Sequence, residues 1–190
     1  INETSLISLC KRGDTKAQYV LYKTYSKAMY NIAIRMTGSK ENAEDILQDS
    51  FTKAFLEVQK LHDENAFGGW LKRIVINRCI DETRKKKHFF TGYEAISEQH
   101  KEIEDEIDEN TDPELVHRLI KKLPDGAREI LVLHAIEGLK HAEIAEKLQI
   151  SESTCKTQFF RAKQILASKI NEIKNENGTE KISERKQINA

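Results

Sequence analysis

The sequence predicts an all-α protein in which two small helical domains are joined by an acidic, flexible linker. Apolar residues recur at the helical period in successive segments, and capping residues separate those segments. The 190 residues include only two prolines and eight glycines, which is low for a loop-rich or all-β chain. The formal charges cancel overall but are segregated: the net charge is +5 over residues 1–93, −9 over 94–114 and +4 over 115–170.

Residues 1–93 are predicted to form the first domain, which contains four helices. A glycine that ends one helix is followed directly by a residue that caps the next, first at Gly13 and Asp14 and then at Gly38 and Ser39. Apolar residues form one stripe along each of the second and third helices, and a fourth helix extends to the mid-80s. Four such helices with short connections favour a compact helical domain.

Residues 94–112 are predicted to form the linker, because this stretch has few apolar side chains and a strong excess of carboxylates. Asp112 and Pro113, an N-cap followed by proline at the first helical position, then begin the second domain. That domain is predicted to span residues 113–174 and is followed by a polar, mobile tail over 175–190. Two helices are expected to begin at Pro113 and at Pro124, and the second of them ends near Gly138. Two further helices are expected over residues 141–148 and about 152–173.

Residues 141–163 have the pattern of a helix-turn-helix. Ala145 is small where two helices must cross, Ile150 is apolar in the turn, and Ser151 caps the second helix. Gln149 is expected to adopt a left-handed backbone where glycine is usual, at a cost of ~1 kcal/mol. The outward face is polar and basic and suits phosphate and base-edge contacts, although an ordinary helical hairpin is the alternative. This face carries Glu152 and the candidate DNA contacts Ser151, Ser153, Thr154, Lys156, Thr157, Phe160, Arg161 and Lys163.

Two further clusters lie between residues 42 and 87. The first places four polar side chains on exposed helix faces around an apolar stripe: Glu44, Asp45, Gln48 and Asp49. Taken alone, such a pattern more often indicates a solvated face. In the second, basic groups that hold phosphates are interleaved with rings that stack on bases, which suits a duplex being opened. Core packing of the tryptophan and a solvated basic run are the alternatives. The candidate nucleic-acid contacts of the second cluster are Phe67, Trp70, Arg73, Asn77, Asp81, Arg84, Lys85 and Lys86.

These two clusters resemble regions 2.2 to 2.4 of extracytoplasmic-function (ECF) sigma factors of the sigma-70 family. The segments 123–131 and 137–145 resemble region 4 of the same proteins. The resemblance covers roughly residues 5–88 and 113–167, and its motifs occur in the family's order. It implies a transcription initiation factor that binds core RNA polymerase, directs it to promoters and stabilises the melted minus-ten region.

The resemblance also implies a role for each cluster. The first cluster, with Phe51 beneath it, would dock on the clamp helices of the polymerase, and the second would engage the minus-ten element. The second helix of the helix-turn-helix would contact the minus-thirty-five element, and the helix over 129–136 would seat the domain on the polymerase flap. The acidic linker would occupy positively charged channels as an RNA mimic, with a solvating spacer as the alternative.

The implied partners are core RNA polymerase, promoter DNA and an anti-sigma factor, and no cofactor, metal or membrane insertion is expected. Cys10, Cys79 and Cys155 have neither disulfide nor zinc spacing, and no apolar run is long enough to span a membrane. Residues 153–155 depart from the family, since Ser-Thr-Cys replaces the usual Gly-Thr-Val. Basic charge on this helix is also modest, so another DNA-bound protein is considered as a recruiting partner.

Two other classes of function are alternatives to a sigma factor. A conventional helix-turn-helix regulator would gain nothing from the two clusters between residues 42 and 87. An enzyme is disfavoured because the sequence has no glycine-rich phosphate loop, no zinc spacing and no nucleophile paired with a base. The sequence therefore predicts a cytoplasmic binding protein without catalysis of its own.

Overall fold

The computed structural model describes the backbone of residues 2–87 and 112–188, and the side chains of residues 2–85 and 112–175. Within this part of the chain there are eight α-helices and no strand, which confirms the all-α prediction. The chain divides into two compact units, Ile1–Glu94 and Ala95–Ala190.

The first unit contains four α-helices whose starts and stops follow the capping signals of the sequence. The Asp14 carboxylate accepts hydrogen bonds from the backbone N–H groups of Lys16 and Ala17 at 2.8 and 3.0 Å. Gly38 ends the second helix with a φ of 67°, in the left-handed region. The helices are α1 (Glu3–Lys11), α2 (Thr15–Thr37), α3 (Lys40–Glu57) and α4 (Phe67–Lys87), with short 3₁₀ turns at Val58–Lys60 and Glu64–Ala66.

Helix α4 supplies the largest part of the core of the first unit. Phe67, Leu71 and Val75 recur at helical spacing and are fully buried. Buried alanines at Ala33 of α2 and Ala43 of α3 present little side-chain volume in the same core. Because one stripe of α4 packs inward in this way, its other faces are held towards solvent.

Helix α1 makes polar contacts with Tyr25 of α2 and with the segment that precedes α4. The Tyr25 hydroxyl donates to Glu3 at 2.7 Å, and its ring lies edge-on to Phe67 with centroids 5.5 Å apart. Burial, followed by the contact with Glu3, raises the pKa of Tyr25 to about 12. The Lys11 ammonium donates to the Leu61 carbonyl at 3.0 Å and to Glu64 at 3.1 Å. These contacts fix the surroundings of the first turn of α4.

The second unit also contains four α-helices, and two of them differ from the sequence prediction. The helix expected from Pro124 to Gly138 is α-helical only in its first part and then widens into a π-helical turn. The last helix was expected to end near residue 173, where its dense apolar stripe stops, but it continues to Ile188, since extending a helix costs less than starting one. The elements are α5 (Pro113–Lys121), α6 (Asp125–Leu131), the π-helical turn Val132–Ile136, α7 (His141–Leu148) and α8 (Glu152–Ile188).

A buried arginine joins α5 to α6. Arg128 donates to the Leu123 carbonyl at 2.9 Å and to the Asp125 carboxylate at 2.5 Å. The Leu123 carbonyl follows the end of α5, where backbone acceptors lack partners within the helix. Arg128 therefore satisfies that acceptor and holds the connection between the two helices against α6.

Two adjacent glycines at the start of α4 should respond in opposite ways to alanine. A Cβ atom at Gly69 would meet no heavy atom within 4 Å, so Gly69→Ala should raise the free energy of unfolding by up to ~1 kcal/mol through helix propensity. At Gly68 the Cβ would lie 2.9 Å from a ring carbon of Tyr25, whose ring is held by Glu3 and Phe67. Gly68→Ala should therefore lower the free energy of unfolding relative to Gly69→Ala.

The chain has a single tryptophan, Trp70, which lies in the first unit, so its fluorescence during urea unfolding reports on that unit. Equal unfolding midpoints for the two variants would contradict the expected clash with Tyr25.

Candidate polymerase and nucleic-acid interfaces

The first candidate interface is the exposed face of α3. Asp45, Gln48 and Asp49 are solvent-exposed, whereas Phe51 is buried behind them and packs against Tyr22 with ring centroids 4.9 Å apart. Glu44 is also exposed and lies 3.7 Å from the Lys40 ammonium of the preceding turn. The residues predicted to dock on polymerase thus form one acidic surface over an aromatic support.

Leu56 extends this acidic face and was missed by the sequence analysis. Its side chain is 79% exposed, and it follows Asp45, Asp49 and Thr52 at helical spacing. A single exposed leucine is ordinary, but this one borders an open groove of about 280 Å³. The Asp49 carboxylate, which lines the same groove, lies 3.5 Å from the Arg78 guanidinium of α4. The signal in the sequence was an apolar residue outside the buried stripe of α3.

The second candidate interface is a polar stripe on α4. Arg73, Asn77 and Asp81 are exposed at successive turns, and Trp70 is half-buried at the beginning of the stripe. The stripe from residue 70 to 81 extends over roughly 16 Å of helix. It places one aromatic side chain and one cation on the same surface.

Phe67 does not belong to that surface, which corrects its assignment as a DNA contact. It is fully buried, and its ring centroid lies 6.0 Å from that of Trp70. The residue that begins α4 faces inward because the apolar stripe of the helix already starts there. Phe67 therefore supports Trp70 from below.

The basic run at the end of α4 is described only in part. Arg84 is half-buried, and the exposed Lys85 lies 3.7 Å from the Glu82 carboxylate. Lys86 and Lys87 belong to the helix, but their side chains lie outside the described residues. Residues 88–111, which include most of the acidic linker, also lie outside them, so the RNA-mimic role remains a prediction.

The helix-turn-helix of α7 and α8 is formed as the sequence predicts. Ile144 and Ala145 are buried, and Gln149 has a φ of 55° and a ψ of 48°, the left-handed backbone expected there. The Ser151 hydroxyl accepts from the Thr154 backbone N–H at 3.0 Å, and the two hydroxyls lie 2.8 Å apart. The Ser151 hydroxyl therefore caps α8, and the Thr154 hydroxyl is engaged with that cap in the first turn of the helix.

The outward face of α8 is the third candidate interface. Ser153, Lys156, Arg161 and Lys163 are exposed, and Thr157 and Phe160 are half-buried. On the opposite side Cys155 and Ala162 are fully buried. The exposed face therefore combines cations, a hydroxyl and one aromatic ring.

A pair of stacked histidines supports this helix and was not predicted. The rings of His134 and His141 are stacked with centroids 3.9 Å apart, and both lie edge-on to Phe159. His134 Nδ1 lies 2.8 Å from the Leu139 carbonyl and must be its donor, since a carbonyl oxygen only accepts. The pair joins the π-helical turn to α7 and α8. Its only sequence signal was the recurrence of histidine seven residues apart.

The environment of His141 disfavours its positive charge. Burial, His134 and Lys156 lower its pKa, in that order, against a smaller opposite effect of Glu152. Burial raises the pKa of Cys155 to about 11, so its protonated thiol can donate to His141 Nδ1 at 3.4 Å.

The helix over 129–136, expected to seat the second domain on the polymerase flap, is mostly core. Every side chain from Glu129 to Leu133 is buried, whereas Ile136 at its end is 38% exposed. The sequence showed that this segment is apolar, but apolar residues suit a core and a docking face equally well. The correction is that this helix offers little surface to a partner.

A different apolar groove lies on the second unit, between α5 and α8. It has a volume of about 440 Å³ and combines apolar side chains with three cations: Leu115, Arg118, Leu119, Lys121, Lys122 and Ile173. Leu115 and Ile173 are half-buried, so this groove keeps apolar surface in contact with solvent.

No His, Cys, Asp or Glu residues with described side chains cluster in a way that could hold a metal ion. None of the described helices is both long enough and apolar enough to pass through a membrane.

Comparison with known proteins places both units in one family. Residues 21–89 match the model of sigma-70 region 2, and residues 114–166 match that of sigma-70 region 4. The ECF RNA polymerase sigma factor SigW of Bacillus subtilis is 31% identical over 179 residues, which is 88% of this chain and 96% of that protein. The RNA polymerase sigma-H factor of Pseudomonas aeruginosa is 28% identical, covering 86% of this chain and 91% of that protein.

Among solved structures, the sigma factor RpoE of Bartonella quintana in complex with the anti-sigma factor NepR has a TM-score of 0.49 and 19% identity. The match covers 82% of this chain and 96% of that one.

The lowered pKa of His141 should make the second unit less stable in mild acid. The unfolded chain takes up a proton at His141 near its ordinary pKa of about 6.5, whereas the folded chain does so only at lower pH. The unfolded state therefore binds more protons below about pH 6.5, and the free energy of unfolding falls as the pH is lowered from there. Circular dichroism should show a lower melting temperature at pH 5.5 than at pH 7.5.

His141→Phe keeps a ring without a titratable nitrogen, so its melting temperature should fall less between these two pH values. His117→Gln, which changes an exposed histidine of α5, is the control and should retain the full decrease. An equal decrease in all three proteins would rule out His141 as the cause.

Proposed function

The chain belongs to the sigma-70 family and is a sigma factor for transcription initiation, and from this premise we propose which of its surfaces contact RNA polymerase and which contact promoter DNA. Residues 1–93 act as the region 2 domain, 94–112 as the acidic linker and 113–174 as the region 4 domain, with 175–190 as a tail. A conventional helix-turn-helix regulator is not favoured, because the region 2 match covers residues 21–89.

The acidic face of α3 docks on the clamp helices of core polymerase. This assignment is supported by the exposed side chains that lie over the buried Phe51, namely Glu44, Asp45, Gln48 and Asp49. Leu56 adds an apolar contact at one end of that face, and burying a leucine contributes more to binding than an exposed ion pair does.

The stripe on α4 engages the minus-ten element. Trp70 stacks on a base that has left the duplex, Asn77 and Asp81 offer hydrogen-bonding groups to it, and Arg73 holds a nearby phosphate. Arg84, Lys85 and Lys86 extend the cationic surface along the backbone of the same strand. The half-buried position of Trp70 above Phe67 is the observation that carries this assignment, because a supported ring keeps a flat face available.

The outward face of α8 contacts the minus-thirty-five element in the major groove. Lys156, Arg161 and Lys163 supply cations, while Ser153, Thr157 and Phe160 offer contacts to sugars and base edges. Ser151 and Thr154 act indirectly, because the Ser151 hydroxyl caps the helix and the Thr154 hydroxyl is hydrogen-bonded to that cap.

The flap of the polymerase binds the apolar groove between α5 and α8 rather than the buried helix over 129–136. The support is the half-buried Leu115 and Ile173, which line a groove open to solvent. Arg118, Lys121 and Lys122 at the same groove favour an apolar segment that carries carboxylates.

The protein acts in the cytoplasm without catalysis of its own, since binding alone accounts for each surface. An anti-sigma factor would inhibit it by covering the α3 face or the α5–α8 groove. A second DNA-bound protein would help to recruit it to promoters. The direct test is run-off transcription with core polymerase on a randomised promoter library. Promoter-specific transcripts that require this protein are expected, and their absence would refute the assignment.

Replacing Leu56 by lysine should weaken the complex with core polymerase. The loss of about 1.5 kcal/mol of apolar burial corresponds to roughly a tenfold increase in Kd. Titrating labelled protein with core polymerase measures the change. Val20→Lys makes the same kind of change at an exposed apolar position of α2 and should bind like the wild type. Wild-type affinity for Leu56→Lys would exclude Leu56 from the interface.

Replacing Trp70 by alanine should reduce strand opening at the promoter. Loss of one base–aromatic stack, worth ~1–3 kcal/mol, should lower the equilibrium constant for open-complex formation by roughly fivefold to a hundredfold. Permanganate reactivity of minus-ten thymines measures opening. A template already unpaired at minus-ten should restore much of the activity, which a merely unfolded variant would not show. If the variant loses the same share of activity on unpaired and on duplex templates, Trp70 has no specific part in strand opening.

A further inference from the structure

Helix α2 has an outward face that belongs to none of the three candidate interfaces. Exposed apolar side chains are few among the described residues, yet Tyr19, Val20 and Tyr22 lie within four positions of this helix. The Tyr22 ring leans edge-on against Phe51, whereas the Tyr19 side chain is 63% exposed. Apolar side chains that are exposed next to one another, rather than singly, indicate a binding surface.

The same face of α2 carries positive charge. The helix contains no carboxylate, and its cations are Lys16, Lys23, Lys27 and Arg35. The three lysines are exposed and share the outward side with Tyr19, because the four positions follow one another at helical spacing. None of the described carboxylates forms an ion pair with any of these lysines. The face therefore attracts an anionic partner.

We propose that this face of α2 holds single-stranded DNA next to the minus-ten element, an inference that rests on the strand opening proposed above. Proteins bind single strands without regard to sequence by stacking bases on exposed rings and pairing phosphates with cations. Tyr19 stacks on an unpaired base, while Lys16 and Lys23, one turn to either side, bind the phosphates that flank it. A duplex would leave the ring unused, because its bases are stacked on one another.

Ring contacts within the first unit place this face close to Trp70. The ring of Tyr25 packs edge-on to Phe67 with centroids 5.5 Å apart, and Phe67 lies 6.0 Å from Trp70. Tyr19 precedes Tyr25 by six residues, which correspond to about 9 Å of helix. A strand that leaves Trp70 towards α2 therefore reaches Tyr19 within a few nucleotides.

An acidic protein segment would also suit a basic and apolar face, but it makes a different demand on position 19. Leucine satisfies an apolar contact with a protein, whereas a base needs a flat ring on which to stack. Tyr19→Leu and Tyr19→Phe therefore separate the two kinds of partner. Both variants should fold, because the side chain at this position is exposed.

The test measures binding of holoenzyme, formed from core polymerase and the full chain, to fluorescent nontemplate oligonucleotides. One strand contains the minus-ten element alone, and two others extend it by about six nucleotides on the 5′ or the 3′ side. The wild type should bind one extended strand more tightly than the short strand. Tyr19→Leu should lose about fivefold in affinity for that extended strand and nothing for the short one, whereas Tyr19→Phe should bind like the wild type.

Lys23→Gln tests the phosphate contact on the same extended strand. Loss of one phosphate contact to a single strand should reduce the slope of log affinity against log salt concentration by about 0.7. Lys147→Gln is the matched control, because it removes the same charge from an exposed position on α7. It should keep the wild-type slope, since these strands lack the minus-thirty-five element.

The inference is overturned if Tyr19→Leu binds both extended strands like the wild type, or if it loses the same affinity for the short strand. A wild-type salt slope for Lys23→Gln would also overturn it. Each of these results leaves the proposed minus-ten contact of α4 intact. Failure of the wild-type holoenzyme to bind the short strand would instead refute that contact.

Discussion

Each functional helix of this protein has only one stripe that can be buried, and that stripe decides which polar residues reach the surface. In α4 the burial of Phe67, Leu71 and Val75 turns Arg73 and Asn77 towards solvent. In α8 the burial of Cys155 and Ala162 presents the basic side in the same way. Packing of the core therefore orients these interfaces.

Several charged groups on these interfaces are already paired within the protein. Asp49 lies beside Arg78, Glu82 beside Lys85 and Glu152 beside Lys156. Such exposed pairs contribute little to folding, so they can be exchanged at low cost when a partner arrives. A surface of paired charges favours specificity over affinity, because each partner must replace the contacts that it disrupts.

The sequence predicted the helices well and the burial of particular residues less well. The caps at Asp14, Ser39 and Ser151 and the left-handed Gln149 are confirmed, because these signals are local in the chain. Phe67 was assigned wrongly to the DNA surface, and the helix over 129–136 was assigned wrongly to a docking face. In both cases an apolar residue suits either the core or a binding surface, and the side chains that pack around it determine which role it has.

What the sequence by itself determined is the helical class, the capping of its helices and the family to which the chain belongs. These follow from periodicity, capping and motif order, all of which act over a few residues. Only the tertiary structure decided that His134 stacks on His141 and that Leu56 is left exposed beside Asp49. The physical reason is that burial and rotamer depend on side chains distant in sequence, which no local pattern specifies.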